Sequence, residues 1–389
     1  AMSLSAVARR VESSSRAMGS SSVQSLLKFR MEWSLWQSTA SIQQNQRGIC
    51  YHPAFMLPRV TLSMPKTVLL PLLATGEYCS GQDLADALGV SRTAVWKQLN
   101  KLAQETGLEI ESVKGKGYRI VGGVDLLQEG QIRDGLTQAS AGLLTTLRII
   151  ESVDSTNAEA LRCLDQERLS GAVYVAEQQT AGRGRRGRHW VSPFARNIYL
   201  SLVWEFGQGA AALEGLSLAV GVAVARALAD CGLPPAQLKW PNDVLHDGRK
   251  LGGILLEMAG DVAGPCQVVV GVGLNVAMPA AAAEEIDQAW TDISTMAGAT
   301  VPGRNRLVAA LLNELLLLTA TFEQQGFAAW RDQWQALDAF ADVPVVLEAG
   351  GSRTAGTARG VDDRGALQLE TSAGTQSVFG GELSLRPLS

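Results

Sequence analysis

Gly182-Arg-Gly-Arg-Arg-Gly-Arg188 places four guanidinium groups, Arg183, Arg185, Arg186 and Arg188, on a glycine-rich segment with free backbone N–H groups. Cations and amides on a pliable loop suit a nucleotide phosphate or an acyl-phosphate, whose transferred group develops negative charge. The segment also spells G-x-G-x-x-G, the dinucleotide fingerprint. That chemistry needs a helix to open at the glycines and hold the pyrophosphate on its N-terminus. Trp190, Pro193 and Phe194 follow instead, so a Rossmann reading is rejected. An isolated RG tract that binds RNA is the other reading of this loop.

A second constellation is Lys239-Trp-Pro-Asn-Asp-Val-Leu245, followed by Lys250-Leu-Gly-Gly-Ile-Leu-Leu-Glu257. Asn242 and Asp243 sit where a turn feeds a strand, which can fix an amide and a carboxylate at the mouth of a site. Lys250 stands before Gly252 and Gly253, so no side chain blocks close approach of a ligand to its amine. Taken singly, these pieces also read as an ordinary turn and a solvated lysine. Three scattered histidines, His52, His189 and His246, and five dispersed cysteines with no CxxC give no basis for a His/Cys metal site or a disulfide framework. A reducing, cytoplasmic setting is expected.

The elements that must position these groups follow from periodicity. Leu147–Glu151, Ala172–Gln179 and Asn197–Glu205 read as strands, and residues 156–166 as a helix. Residues 210–231 read as one long helix. Its stretch 210–229 nears the length of a bilayer span, but Glu214 and Arg226 within it favour a buried core helix. Three strands are expected next, with turns at Pro241-Asn-Asp and His246-Asp-Gly-Arg, the last being Gln267–Val276. Helices over 304–325 and 327–340 follow. Four short strands at 343–348, 355–361, 366–370 and 375–379, divided by glycine turns, make a segment the size of a small β-barrel.

Ahead of this block, Pro65–Ala74 is helical in pattern. Ser80 with Asp83 reads as a capping box, and Ser91 as a second N-cap just past Gly89. Leu84, Ala85, Leu88, Val90, Val95, Leu99 and Leu102 give the two short helices a common apolar face, a helix-turn-helix. The second helix offers Ser91, Arg92, Thr93, Trp96, Lys97, Gln98 and Lys101 with no acid among them. A hairpin at Leu108–Ile120 adds Lys114, Lys116 and Arg119 around two glycines, as a wing on DNA does. The alternative is a helical protein-contact module.

The chain has 389 residues, 46% hydrophobic and 19% charged, with a net charge of −4. That is room for two or three domains at about 150 residues each, and it excludes general disorder and a broadly basic nucleic-acid coat. Residues 1–63 are serine-rich, carry seven Lys/Arg against two acids, and have no sustained period. They read as transit-peptide-like or as a non-native leader, outside the fold.

Together the motifs are more specific than any one of them. Asp154-Ser-Thr-Asn157, Gln179 with Gly182–Arg188, Lys239–Asp243, Lys250–Gly253, Gly271-Val-Gly-Leu-Asn275 and the closing Gly380-Gly-Glu-Leu-Ser-Leu-Arg386 occur in that order. The array, over about 64–389, closely resembles the biotin protein ligases. With the helix-turn-helix it resembles their bifunctional form, the biotin operon repressor and biotin–[acetyl-CoA-carboxylase] ligase. The resemblance implies a multidomain α+β chain. Its parts are a winged helix-turn-helix (64–125), a mixed α/β ligase domain of the class II synthetase-like type (140–340) and a small SH3-like β-barrel (341–389).

It further implies that biotin and MgATP give biotinyl-5′-AMP, and that a lysine of the biotin carboxyl carrier protein of acetyl-CoA carboxylase takes the biotinyl group. By position, Ser155, Thr156, Asn157 and Gln179 hold biotin, and Gly182, Arg183, Gly184, Arg185 and Gly253 surround it. Lys250, Arg185 and Asp243 are the catalytic set, Asp243 also standing near Mg²⁺. Trp190, Asn242, Asn275, Met278 and Trp290 fall to the adenylate, Trp190 also as a cover for biotin. The adenylate acts as corepressor, driving a homodimer onto a two-fold operator, with no membrane involved. A lipoate-type ligase and a ligand-sensing regulator without ligase activity are the alternatives.

Overall fold

Three helices open the computed structural model, which describes residues 64–388 except 165–169, 210–212, 261–263, 299, 350–351 and 381–382. The expected leader therefore lies outside the described residues. Helix α1 is Met64–Leu73, α2 Gly81–Leu88 and α3 Arg92–Thr106. Both caps form as their sequences dictate. Ser80 Oγ accepts from Asp83 N at 3.1 Å and Ser91 Oγ from Ala94 N at 3.3 Å. Gly89 turns the chain between α2 and α3 at φ +66°, a conformation that a side chain would strain. The wing is β1 (Ile110–Val113) paired antiparallel with β2 (Gly117–Ile120). Leu69, Leu73, Leu84, Val95, Leu99 and Ile120 form the core of this domain, and Phe194 and Ala195, from far along the chain, complete it.

The central element is a seven-stranded sheet of order β3-β4-β5-β9-β8-β7-β6. Its strands are β3 Thr146–Ile150, β4 Ala172–Ala176, β5 Ile198–Phe206, β6 Gln237–Lys239, β7 Asp243–His246, β8 Arg249–Gly260 and β9 Cys266–Leu274. Only β3 and β4 run parallel. The middle strands are apolar almost throughout because both faces are covered. Helix α4 (Thr156–Cys163) covers one end of one face, with Cys163, Tyr174, Val203 and Val269 beneath it. Helices α5 (Leu216–Asp230) and α6 (Arg304–Gln325) cover the other face.

Register decides where the first face stays open. Gly253 pairs with Gly273, which pairs with Tyr199; Leu255 pairs with Gly271, which pairs with Ser201. Glycines thus replace side chains along two neighbouring strands, and a trough lies on the sheet beside α4.

The C-terminal segment has five strands: β10 Pro344–Ala349, β11 Ser352–Val361, β12 Leu367–Thr371, β13 Gly374–Val378 and β14 Leu383–Pro387. They form an antiparallel sheet of order β13-β12-β11-β10-β14. Its core residues Val345, Leu347, Leu369 and Leu385 join the main core. Trp240, 2% exposed, donates from Nε1 to Gly365 O at 3.1 Å and so ties the β6–β7 turn to this sheet.

Several expectations need correction. Four strands, not three, follow residue 231, because β8, after the two expected turns, ends at Gly260 and pairs antiparallel with a separate strand, β9. The C-terminal sheet gains a fifth strand from the closing motif, whose Gly381 and Glu382 lie outside the described residues. The helix expected over 210–231 begins at Leu216, after Gly215 at φ +76°; residues 210–212 lie outside the described residues. The strand expected to reach Gln179 stops at Ala176; beyond it the Glu177 carbonyl accepts from Ala195 N, which lies ahead of β5. The helix expected over 327–340 is a 3-10 turn, Phe327–Ala329, and a short helix, Arg331–Ala336. Helices Glu129–Asp134 and Gln138–Leu143, unforeseen, pack on α6. Of the described helices, α6 rather than α5 is long and apolar enough to cross a bilayer, and most of its apolar residues, Leu307, Leu311, Leu315 and Phe322 among them, are buried in the core.

Arg304, at the start of α6 and 3% exposed, pairs with Glu177 at 2.7 Å. It also donates to Asn197 O at 2.8 Å and to Asp125 O at 2.7 Å. Removing one member of a buried pair strands the other, a cost of about 3–5 kcal/mol. Arg304→Ala is expected to lower the unfolding free energy by that order, read as a lower urea midpoint, and Glu177→Gln, which keeps a neutral acceptor, by less. A midpoint equal to wild type in Arg304→Ala would refute the role given to the pair.

Candidate functional site

The trough opens into a cavity of about 680 Å³, within the size range of small-molecule sites. Its floor is the glycine-lined sheet, and its walls come from four loops and one strand of the C-terminal sheet.

One end is neutral and closely hydrogen-bonded. Thr156 donates to Gln179 Oε1 from its N–H at 2.8 Å and from its hydroxyl at 3.1 Å. Ser201 Oγ lies within hydrogen-bond distance of Thr156 Oγ1 and Asn157 Oδ1. Asn157 Nδ2 donates to Leu255 O at 3.2 Å and Glu257 Oε2 at 2.8 Å. A Cβ on Gly271 would stand 2.4 Å from Asn157 Oδ1, so glycine there is a condition for this network. Asp154 grips the same turn from outside through a bidentate pair with Arg162, both bonds 2.8 Å. That pairing, helped by the Ser155 N–H and opposed by burial, holds the Asp154 carboxyl down at about 2.

The other end is cationic. Lys250 Nζ lies 2.6 Å from Asp243 Oδ1, and Lys239 Nζ lies 4.0 Å from Asp243 Oδ2. Arg185 donates to Asn242 Oδ1 at 3.0 Å, while Asn242 Nδ2 donates to Ile254 O at 2.8 Å. Burial pushes the Arg185 guanidinium below its usual value; Asp243 opposes this, and Arg188 and Arg186 add to it. Burial lowers Lys239 in the same way, against Asp243 and with Lys250, Arg188 and Arg386. One carboxylate thus faces an excess of cations crowded into a half-dry site. An anion entering there would relieve their mutual repulsion.

Between the ends lies Trp190. Its ring rests on Gly253 and Gly273, where a Cβ would come within 3.4 and 2.8 Å of ring atoms. Lys250 Nζ sits 5.6 Å from the ring centroid. Trp190 Nε1 is buried with no hydrogen-bond partner. The far wall is held by Asn275, whose Nδ2 donates to Thr291 O at 3.1 Å. Asp292 Oδ2 accepts from Met278 N at 2.9 Å. A bridge between Lys250 and Trp290 closes the wall.

Every residue assigned from sequence to the ligand site lines this one cavity except Gly182. Gly182 lies behind it, where a Cβ would meet Trp190 O at 2.5 Å. The arginine loop contains a single 3-10 turn, Arg185–Gly187, not the α-helix start that a dinucleotide site needs. Sequence reasoning missed the floor residues Tyr199, Ser201 and Leu255, the network carboxylate Glu257, and Leu383–Arg386 from the C-terminal sheet. Arg386 was already quoted in the closing motif, a basic residue in a chain end that also contributes a strand; that was the available signal.

The residues assigned from sequence to DNA are arranged separately. Arg92, Thr93, Trp96, Lys97 and Lys101 are exposed on α3, while Gln98 is half-buried. Ser91 is spent on its cap. Lys114 and Lys116 stand exposed at the wing tip, and Arg119 and Lys116 lie 4.7 and 5.4 Å from the Tyr78 ring centroid.

Comparison with known proteins accords with this division. The biotin/lipoate A/B protein ligase family matches residues 149–275, an HTH domain matches 66–119, and the biotin protein ligase C terminal domain matches 342–386. The bifunctional ligase/repressor BirA of Escherichia coli (strain K12) is 41% identical over 318 residues, 82% of this chain and 96% of its own. The chain belongs to the bifunctional biotin ligase/repressor family. The biotin–[acetyl-CoA-carboxylase] ligase of Mycobacterium tuberculosis (strain ATCC 25618 / H37Rv) is 38% identical over 265 residues, 66% of this chain and 95% of its own. Among solved structures, the biotin protein ligase from Aquifex aeolicus in complex with biotin and ATP matches at TM-score 0.55 and 27% identity. It covers 63% of this chain and 100% of its own.

Glu257 holds Arg183 at 3.3 Å as well as Asn157. Breaking a partly exposed pair is worth up to about 1 kcal/mol. Glu257→Gln is therefore expected to raise trypsin cleavage within 183–188 about two- to fivefold, and an unchanged rate would refute the tether.

Proposed function

We propose that this protein activates biotin with ATP to give biotinyl-5′-AMP and pyrophosphate. It then transfers the biotinyl group to a lysine of the biotin carboxyl carrier protein of acetyl-CoA carboxylase. Supporting the reading is one cavity with a neutral polar end and a cationic end, joined by an indole on glycines. A ligand with an uncharged hydrogen-bonding head, an apolar tail and an anionic terminus fits that order. In this reading Ser155, Thr156 and Gln179 meet the ureido ring, with Asn157 fixing the floor beneath it. Trp190 covers the tail, and Gly182–Arg185 wrap it.

The chemistry asks for charge control and positioning. A carboxylate oxygen attacks the α-phosphorus and pyrophosphate leaves. The lysine amine then attacks the acyl carbon, AMP leaves, and the amine proton passes to solvent. In this reading Lys250 bridges carboxylate and α-phosphate, exchanging its pairing with Asp243 for the ligand, and Arg185 offsets phosphate charge. Asn242, Asn275, Met278 and Trp290 serve the nucleotide.

Asp243, at the cationic end beside Lys250 and Lys239, is the carboxylate that would hold Mg²⁺ in this reading. Mg²⁺ keeps several waters and takes ATP phosphates with as few as one carboxylate. When bound, the ion would neutralise charge on the leaving pyrophosphate.

The same reading makes the protein a repressor of biotin synthesis genes. Biotinyl-AMP is its corepressor, a homodimer on operator DNA its active form, and the cytoplasm its setting. The working units are the winged helix-turn-helix at 64–125, a class II synthetase-like ligase domain at 140–340, and an SH3-like barrel at 341–389.

With biotin, ATP and an acceptor carrier domain, wild type is expected to label one lysine. Lys250→Ala or Arg185→Ala should lower the rate about 10²–10³-fold, the scale for losing a charge-stabilising group. Wild-type inactivity would overturn the ligase reading. In sedimentation, biotin with ATP should convert monomer to dimer and tighten binding to operator DNA, whereas affinity indifferent to the ligand would overturn the corepressor reading.

A further inference from the structure

On α3 the residues that point away from the domain core are Arg92, Thr93, Trp96, Lys97, Asn100 and Lys101, all exposed. Their spacing, i, i+1, i+4, i+5, i+8 and i+9, is one continuous helical face. Val95, Leu99 and Leu102 are buried on the opposite face. No acid interrupts the stripe; Glu105, at its far end, is paired with Lys66 and Lys101.

In the middle of this cationic face stands a tryptophan 55% exposed to water. So large an indole left in solvent loses hydration free energy that burial would recover, about 25 cal/mol per Å² of apolar surface. Something of the right shape and charge should cover it. Flanking cations without acids select a polyanion. The duplex major groove admits such a helix, whose first turns meet the base edges. The major groove displays one conspicuous apolar group, the C5-methyl of thymine.

We propose that Trp96 is a base-reading residue that packs its indole on a thymine methyl group in the major groove, with Arg92 and Lys97 holding the helix there. The assignment rests on the DNA-binding reading and deepens it, since it makes one apolar contact a determinant of sequence. Phosphate contacts from Lys97, Lys101, Lys114 and Lys116 position the domain without reading bases. Insertion of an aromatic wedge between base steps is a minor-groove device and would leave a different mark on the DNA.

The test uses the full-length protein with biotin and ATP and a duplex selected by it from a random-sequence pool. Each thymine in the selected site is replaced in turn by deoxyuridine, which removes only the methyl group. At one or two positions per half-site the replacement is expected to weaken wild-type binding about three- to fivefold, the scale of one buried methyl. The same replacements should leave Trp96→Ala unaffected, and Trp96→Phe should retain part of the sensitivity. Because Trp96 is 55% exposed, the variant's thermal midpoint should match wild type.

Replacements that cost both proteins equally, or cost wild type nothing, would overturn the proposal. So would enhanced permanganate reactivity of unstacked thymines that Trp96→Ala abolishes, the mark of a wedge. A wild type that selects no duplex over random DNA would overturn the DNA-binding reading and this inference with it.

Discussion

The buried pair between Arg304 and Glu177 is the constraint on which the site depends. Glu177 follows β4 and Asn197 precedes β5, and Arg304 bonds to both. Asn197 Oδ1 in turn accepts from Val276 N at 2.9 Å, just past β9. Glu177 Oε1 accepts from Leu127 N at 2.6 Å, so the connection from the DNA-binding domain is tied to the same point. The loops that bear Gln179, the arginines and Met278 therefore leave the sheet beside one charge pair. Burying a guanidinium and a carboxylate is costly unless each is saturated with hydrogen bonds, and here backbone carbonyls and amides complete the set.

From that anchor the two ligand regions acquire opposite characters. Loops leaving toward α4 carry hydroxyls and amides that saturate one another over Gly271, giving a rigid neutral pocket. The β6–β7 and β8 segments carry Lys239, Asp243 and Lys250, a cluster with surplus positive charge. Trp190 lies between them on glycines, because only a strand surface without Cβ atoms lets an indole lie that close. Four residues later, Phe194 fills the core of the helix-turn-helix domain. One short segment thus joins Trp190, beside the cavity, to the core of the helix-turn-helix domain.

Much of this was legible locally. Ser80 and Ser91 cap the expected helices, and α6 runs over the residues its periodicity assigns, Arg304–Gln325. Caps and helical periodicity are properties of a few adjacent residues. Boundaries failed where a distant partner intervened. The strand expected to reach Gln179 ends at Ala176; past it the Glu177 carbonyl accepts from Ala195 N, a residue ahead of β5. The last strand, Leu383–Pro387, escaped notice because its partner is β10 and its own pattern is too short to declare a strand.

The site followed the same rule. Residue types and order marked the candidates for chemistry: the arginine loop, Lys250 with its glycines, the turn at Asn242 and Asp243, and an acid-free second helix of the helix-turn-helix. Tertiary structure alone decided their relations. It brought Lys250 to 2.6 Å from Asp243, set Glu257 on both Asn157 and Arg183, and carried Arg386 to the cavity rim. Sequence fixes what a side chain can donate, accept or neutralise. Distance and burial, which decide how strongly it does so, come from strand register and the packing of remote segments.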